Sequence, residues 1–307
     1  MRPLIFPYGT LRVCPTFRCN QNCGYCGLTH YQENLCATHR YIREEVDPGK
    51  WIDNIARVIP TRSHFIVIFG TGEPGLYHGI AEVVNSIQWN TFYYSNCSNL
   101  AMPEIRKLIP RPTLSIYCSY HPTQVDRETF CENAKEIIGL GLLVQNFHAV
   151  SDPSMKEQLE DDKKWMLERG VELELNHPFL VVRPGQYSFY GRMGEHPMFR
   201  RALASQCFGL PEIKVKCKVS QNHIVDLQTM GYPVAPNGNI YVCWRYMLNH
   251  SDEGILGNFF DEGFAFNDNY FECRHFGYCN ACHCNRNIIH ADTGELIDTD
   301  MVRFLWL

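Results

Sequence analysis

Through its first 180 residues the chain alternates short β-branched or aromatic runs with helical patterns, and this rhythm restricts the fold more than any other feature. The runs TLRVCPTF (10–17), HFIVIFG (64–70), TFYYSN (91–96), TLSIYCS (113–119), LLVQNFHAV (142–150) and VELELNHP (171–178) read as strands. Helical patterns occupy Pro48 to Ile59, a stretch from Tyr77, a short one from Pro103, Gln124 to Leu140 and Ser154 to Arg169. Strand followed by helix, repeated, demands a parallel sheet covered by helices. Six such units fall short of a closed eightfold barrel, so the expected fold is α/β: an open, partial (β/α)6 barrel over residues 1–183. In the sixth strand Val171, Leu173 and Leu175 share one face while Glu172, Glu174 and Asn176 share the other. If the apolar face meets the helices, the polar face looks into the barrel; an edge strand with one solvated face has the same pattern. After Pro184 the rhythm gives way to Gly, Pro, Asn and Cys, which sets apart a small, Cys-rich α+β domain over residues 184–307.

The chain has 307 residues, 45% hydrophobic and 20% charged, enough to bury a core without staples. A formal net charge of -5 gives no basic stripe for neutralising phosphates, so no nucleic-acid partner is expected. No export signal opens the sequence and no apolar run reaches membrane-spanning length. A cytoplasmic location and no membrane partner follow as expectations. In that reducing compartment fifteen cysteines are better explained as metal ligands and buried thiols than as disulfides.

Three of those cysteines stand together. In RCNQNCGYCGLTH, Cys19, Cys23 and Cys26 form C-x3-C-x2-C in the loop after the first expected strand. Three thiolates do not complete a structural zinc site, which takes four ligands. A [4Fe–4S] cluster held by three cysteines has a use for the vacancy, because its fourth iron stays open to an outside ligand. Tyr25 lies between the last two cysteines, where its ring has a place to stack on a nucleoside. The motif CNQNCGYC resembles that of the radical S-adenosylmethionine superfamily, with its aromatic before the third Cys. The resemblance implies a partial TIM-like barrel and S-adenosylmethionine chelated to the unique iron. It also implies one-electron cleavage of the C5′–S bond to a 5′-deoxyadenosyl radical, fed by a flavodoxin- or ferredoxin-type electron donor.

IFGTGEP (68–74) ends the second strand and is similar to the family's Gly-Gly-Glu-Pro segment, with Thr71 as the departure. Gly70, Thr71, Gly72, Glu73 and Pro74 are thereby cofactor-binding candidates, with Glu73 accepting from the methionyl ammonium. Sheets of this kind bind ligands at the carboxyl ends of their strands. Asn96 and Ser98 after the third strand and Ser119 at the end of the fourth are therefore candidates for the methionyl carboxylate and the ribose.

A second cysteine field holds Cys207, Cys217, Cys243, Cys273, Cys279, Cys282 and Cys284. PNGNIYVC (236–243) reads as a β-turn at Asn237-Gly238 leading into a strand that delivers Cys243. This region resembles the SPASM and twitch extensions of radical S-adenosylmethionine enzymes, in which Gly238 and Cys243 match the G-x4-C half-motif and GILGNFF (254–260) the following Gly-Asn segment. The resemblance implies an auxiliary iron–sulfur cluster on Cys217, Cys243, Cys279 and Cys282, with Cys273, Cys284 and Cys207 in reserve. Cys217 lies farther from Gly238 than in the family, so an insertion is required. A structural zinc uses the same four-Cys cage and remains the alternative.

The substrate end is expected to be polar: His121, His148, Glu172, Glu174, Asn176, His177 and Arg183 follow or end the later strands. One reading is removal of hydrogen from a hydroxyl- or amine-bearing carbon of a small polar molecule, such as a sugar or cyclitol, by dehydrogenation or epimerisation. His121 or His177 would take the proton, and the auxiliary cluster an electron. Cys97 and Cys118, expected at the mouths of strands three and four, would be hydrogen-atom donors for epimerisation. The other enzymatic reading is crosslinking, epimerisation or maturation of a peptide. Peptide-modifying relatives often carry an N-terminal leader-recognition domain, whereas eighteen residues precede Cys19, which favours the small molecule or a separately presented peptide. A non-catalytic iron–sulfur or zinc protein would need neither the vacant iron nor GTGEP.

Overall fold

The computed structural model describes residues 8–23, 45–59, 64–150, 155–176, 215–218, 232–241, 246–247, 252–264, 270–273 and 288–290. Six strands, β1 (Tyr8–Val13), β2 (His64–Phe69), β3 (Asn90–Ser95), β4 (Leu114–Tyr120), β5 (Leu143–Val150) and β6 (Leu173–Asn176), pair in chain order, every neighbour parallel. The helices between them are α1 (Pro48–Val58), α2 (Ile80–Ser86), α3 (Met102–Ile105), α4 (Arg127–Gly139) and α5 (Lys156–Leu167). The order is that of a partial barrel, six parallel strands with five helices between them, as the rhythm of the sequence predicts.

Local chemistry explains the boundaries. Asp47 caps α1, its carboxylate accepting from Gly49 N at 2.8 Å, and Asp126 caps α4 through Thr129 N at 2.7 Å. The helix expected from Tyr77 starts three residues later. Pro74–Leu76 first form a 3-10 turn, and α2 is entered through Gly79 at φ 87, where a side chain would be strained.

One face of the sheet packs on the helices. Leu11, Val13, Val67, Phe69, Tyr93, Leu114, Ile116, Ala149 and Leu173 lie there, buried with Trp51, Ile55, Val84, Phe130 and Ile137 from the helices. Because side chains alternate along a strand, Arg12, Ile68, Tyr94, Tyr117, Ser119, Asn146, His148 and Glu174 fall on the opposite, barrel-facing side.

The sheet does not stop at β1. Strands β8 (Tyr232–Val234), β9 (Asn239–Tyr241) and β10 (Ile255–Asn258) extend it, giving nine strands in the order β10-β9-β8-β1-β2-β3-β4-β5-β6. β8 runs parallel to β1 and antiparallel to β9, joined by the turn expected at Asn237-Gly238. Gly238 has φ 84, and a Cβ there would meet the Phe260 ring at 2.3 Å. Part of the chain expected in a separate domain thus pairs with the barrel sheet. A second sheet joins β7 (Val215–Lys218) antiparallel to β11 (Tyr270–Cys273) and β12 (Ile288–His290). Its register sets Cys217 opposite Phe271 and Cys273 opposite Val215, so two cysteines of the second field occupy adjacent strands. Cys207, Cys243, Cys279, Cys282 and Cys284 lie outside the described residues.

Candidate active site

Cys19 and Cys23 follow β1 at the carboxyl ends of the parallel strands, and four side chains from the segments just after β3 and β4 fasten their loop. Asn20 is held twice: its Nδ2 donates to Ser98 Oγ at 2.9 Å, and its Oδ1 accepts from Asn96 Nδ2 at 2.8 Å. Asn96 Nδ2 also lies 3.9 Å from Cys19 Sγ. Asn96 Oδ1 accepts from Ser98 N at 3.0 Å; a backbone N–H can only donate, so this contact fixes which edge of the amide faces the cysteine loop. From beyond β4, His121 Nδ1 stands 3.4 Å from Cys23 Sγ, and Gln124 Oε1 accepts from Asn22 N at 3.1 Å. Asn96 and Ser98 therefore grip the cysteine loop, where the sequence suggested direct ligands of S-adenosylmethionine. His121, expected as a base, faces a thiol.

The GTGEP segment sits under the same loop. Thr71 and Gly72 both adopt left-handed backbone, φ 72 and φ 66, and a Cβ on Gly72 would lie 2.7 Å from Arg18 O. Glu73 N donates to Arg18 O at 2.8 Å, so the turn after β2 supports the chain entering Cys19. The Glu73 side chain is 1% exposed. Its Oε1 accepts from Gly75 N and Ser95 Oγ, both at 2.9 Å, and its Oε2 from Asn96 N at 2.6 Å. Burial pushes its carboxyl up to about 7 against the pull of those three donors. The carboxylate ties the turn to the end of β3.

Cys97 and Cys118 need a positional correction. Both are fully buried in the helix-side core, where Cys97 Sγ donates to Ser95 O at 3.7 Å and burial raises the Cys97 thiol well above its ordinary range. Cys118 shares its face with Leu114, Ile116 and Tyr120, whereas Tyr117 and Ser119 look the other way. Neither thiol reaches the barrel interior.

Across that interior runs a polar chain no single segment of sequence announces. Ser119, His148 and Glu174 are register partners on β4, β5 and β6. Asn146 Nδ2 donates to Glu174 Oε2, which turns Asn146 Oδ1 toward His148 Nδ1 at 3.1 Å. His148 Nδ1 therefore carries the proton, and its Nε2 accepts from Ser119 Oγ at 2.8 Å. Burial lowers His148 to about 4, so the imidazole is neutral at neutral pH. Beside this chain Tyr94 and Tyr117 stack with centroids 4.4 Å apart, and the Arg12 guanidinium lies 5.6 Å over Tyr94. The sequence signals for these residues are an arginine between Leu11 and Val13 and the period-two pairs Tyr117/Ser119 and Asn146/His148. Nothing local marks Asn20.

Comparison with family models finds no match, and comparison with curated proteins finds none. Solved structures do match. Native anSMEcpe with bound AdoMet aligns with a TM-score of 0.56 and 14% identity over 97% of this chain and 95% of that one. Streptococcus suis SuiB bound to S-adenosylmethionine aligns with a TM-score of 0.54 and 13% identity over 82% of this chain. The fold is that of the radical S-adenosylmethionine enzymes. The chain spans 63% of the length of SuiB, which has also been seen bound to precursor peptide SuiA, and anSMEcpe with the Kp18Cys peptide.

The residues fit a thiolate-bound cluster. Gln21, 8% exposed, turns Oε1 toward Cys23 Sγ at 3.9 Å, while its buried Nε2 has no hydrogen-bond partner among the described residues. A protonated thiol donates to Oε1; a metal-bound thiolate has no proton to give. Exchanging the two ends of the amide then places an N–H on the sulfur and satisfies the orphaned donor. Tyr25, Cys26 and His177 lie outside the described residues.

Proposed function

We propose that this chain is a radical S-adenosylmethionine enzyme that holds a [4Fe–4S] cluster on Cys19, Cys23 and Cys26 and removes hydrogen from a hydroxyl- or amine-bearing carbon of a polar substrate. The carrying observation is the seating of Cys19 and Cys23, gripped by Asn20, Asn96, Ser98 and His121 at the carboxyl ends of a radical S-adenosylmethionine fold. Bound there, cluster and S-adenosylmethionine supply one-electron cleavage to a 5′-deoxyadenosyl radical. The rest falls to the chain. GTGEP backbone and the Asn20 clamp set the cysteine loop, and Ser119 Oγ, whose proton is directed to His148 Nε2, presents its lone pairs to a donor on the substrate. A proton leaving that donor passes through Ser119 Oγ to His148 Nε2, and Asn146 and Glu174 hold the imidazolium in place. This assigns His148 the role first expected of His121 or His177.

A peptide as the carrier of that carbon is the second reading, favoured by the peptide-bound states of SuiB and anSMEcpe, fold neighbours of this chain. The cysteines at 217, 243, 279 and 282 are proposed to hold an auxiliary cluster that takes up an electron, with a flavodoxin- or ferredoxin-type protein as donor to the first.

The test is anaerobic reconstitution of wild type beside the Cys19/Cys23/Cys26→Ala variant, with iron, sulfide and 5′-deoxyadenosine measured. About eight irons falling to about four, with 5′-deoxyadenosine abolished, is the expected result. Persistent S-adenosylmethionine cleavage in the variant overturns the reading. Retained zinc with about four irons falling to none moves the second field to a structural role.

A further inference from the structure

The geometry points to a set of hydrogen-bond donors, Asn96 on Cys19 and His121 with Gln21 on Cys23, that tunes the reduction potential of the cluster these cysteines hold. The inference rests on the cluster reading above and adds how the chain controls the cluster's electron affinity.

Each donor is fixed by a separate observation. The Asn96 amide is oriented by Ser98 N, so the group 3.9 Å from Cys19 Sγ is N–H and not carbonyl. His121 Nδ1 is 3.4 Å from Cys23 Sγ, within reach of a sulfur acceptor. A metal-bound thiolate can only accept, so the contact requires the proton on Nδ1. Gln21 has a buried Nε2 without a partner among the described residues and an amide already against Cys23, so reversing its ends adds a third donor.

The physical consequence has a sign. Reduction adds negative charge to the cluster and its sulfurs, and a donor N–H stabilises the more negative state more strongly. Around Cys23, which is buried with Gln21 and Asn96, the effect is poorly screened. Donors on two of the three cysteines thus raise the potential, bringing the cluster within reach of a protein reductant. His121 and Asn96 act through the cysteines and are positioning residues.

The experiment uses the full chain, anaerobically reconstituted, in an EPR-monitored redox titration. The N-terminal cluster is identified as the signal that changes when S-adenosylmethionine is added. His121→Phe is expected to shift that cluster to a more negative potential. His121→Asn, whose amide nitrogen takes the place of Nδ1, is expected to restore the wild-type value. An unchanged potential in a fully loaded His121→Phe protein overturns the inference and leaves the cluster reading standing. Absence of any S-adenosylmethionine-responsive cluster in wild type overturns both. Should His121→Phe fail to assemble, pulsed EPR of wild type in D2O decides: exchangeable deuterons coupled to the cluster before S-adenosylmethionine is added, and lost in Gln21→Leu or Asn96→Leu, support it. No such coupling in wild type overturns it.

Discussion

The two faces of the β1–β6 sheet share the same strands and differ in almost everything else. On the helix side Tyr93, Ile116, Cys118 and Leu173 are buried to within 1%, and the carboxylates buried there, Glu73, Glu104 and Asp162, are bonded to the chain itself. On the barrel side Arg12, Tyr94, Tyr117, Ser119, Asn146 and His148 face each other with hydrogen bonds running in one direction. One face is closed by apolar packing, and the other carries polar atoms oriented by one another. Successive residues of a strand belong to different faces, so neighbours in sequence such as Cys118 and Ser119 have unrelated roles.

The largest losses are expected on the helix side. Ile116→Ala is expected to cost about 2–5 kcal/mol of stability in urea denaturation, since it opens a cavity in the helix-side core between the neighbouring strands β3 and β5. A loss under about 1 kcal/mol would mean that this face is loosely packed. Glu73→Gln comes next, at about 1–3 kcal/mol, because an amide cannot accept from Gly75 N, Ser95 Oγ and Asn96 N without presenting N–H to one of them.

Acid sharpens the contrast, since burial acts on the two faces with opposite sign. His148 is protonated near pH 4 when folded against an ordinary 6.5, so between those values the unfolded chain binds more protons. Its contribution is complete above pH 6.5 and is lost as the pH falls toward 4. Glu73, raised from 4.5 to about 7, binds its proton first in the folded chain, so its contribution grows as the pH falls through that window. His148→Gln should therefore remove an acid-side loss of stability, and Glu73→Gln an acid-side gain. Thermal unfolding between pH 4.5 and 7.5 measures both, and parallel slopes for the two variants would contradict the assignment.

The smallest stability effect is expected from Ser119→Ala, within about 1 kcal/mol for a half-buried hydroxyl. Substrate turnover should nonetheless fall about 10²-fold or more, as loss of the group that passes a proton requires. Cys118→Ala is the converse control: turnover within about twofold of wild type and a measurable loss of stability, from a thiol in the core. A turnover defect there would return Cys118 to the chemistry.

Much of this was legible in the residues. The β1–β6 rhythm and the Asn237-Gly238 turn were readable because period and turn chemistry are local properties, whereas α4 starts at Arg127, after its Asp126 cap, and not at the expected Gln124. The C-x3-C-x2-C spacing and GTGEP were readable for the same reason. The polar face of the sixth strand, with Glu174, also meets a polar partner in the fold, Asn146. The expected helix start at Tyr77 failed because Gly79 and the Pro74 turn compete with the helical period.

Local pattern alone thus established which barrel segments, β1–β6 and α1–α5, are strand or helix and which thiols form a cluster motif. Only the tertiary structure decided that Asn96, Ser98 and His121 grip the cysteine loop, across 76 to 98 residues of chain. Only it turned Cys97 and Cys118 into the core, joined Ser119 to Glu174 through His148 and Asn146, and laid β8 beside β1. The physical reason is that periodicity divides a strand into two faces but does not say which face the helices will cover or which strand will lie alongside. Those choices come from closing the whole sheet, and contacts between distant segments exist only once it is closed.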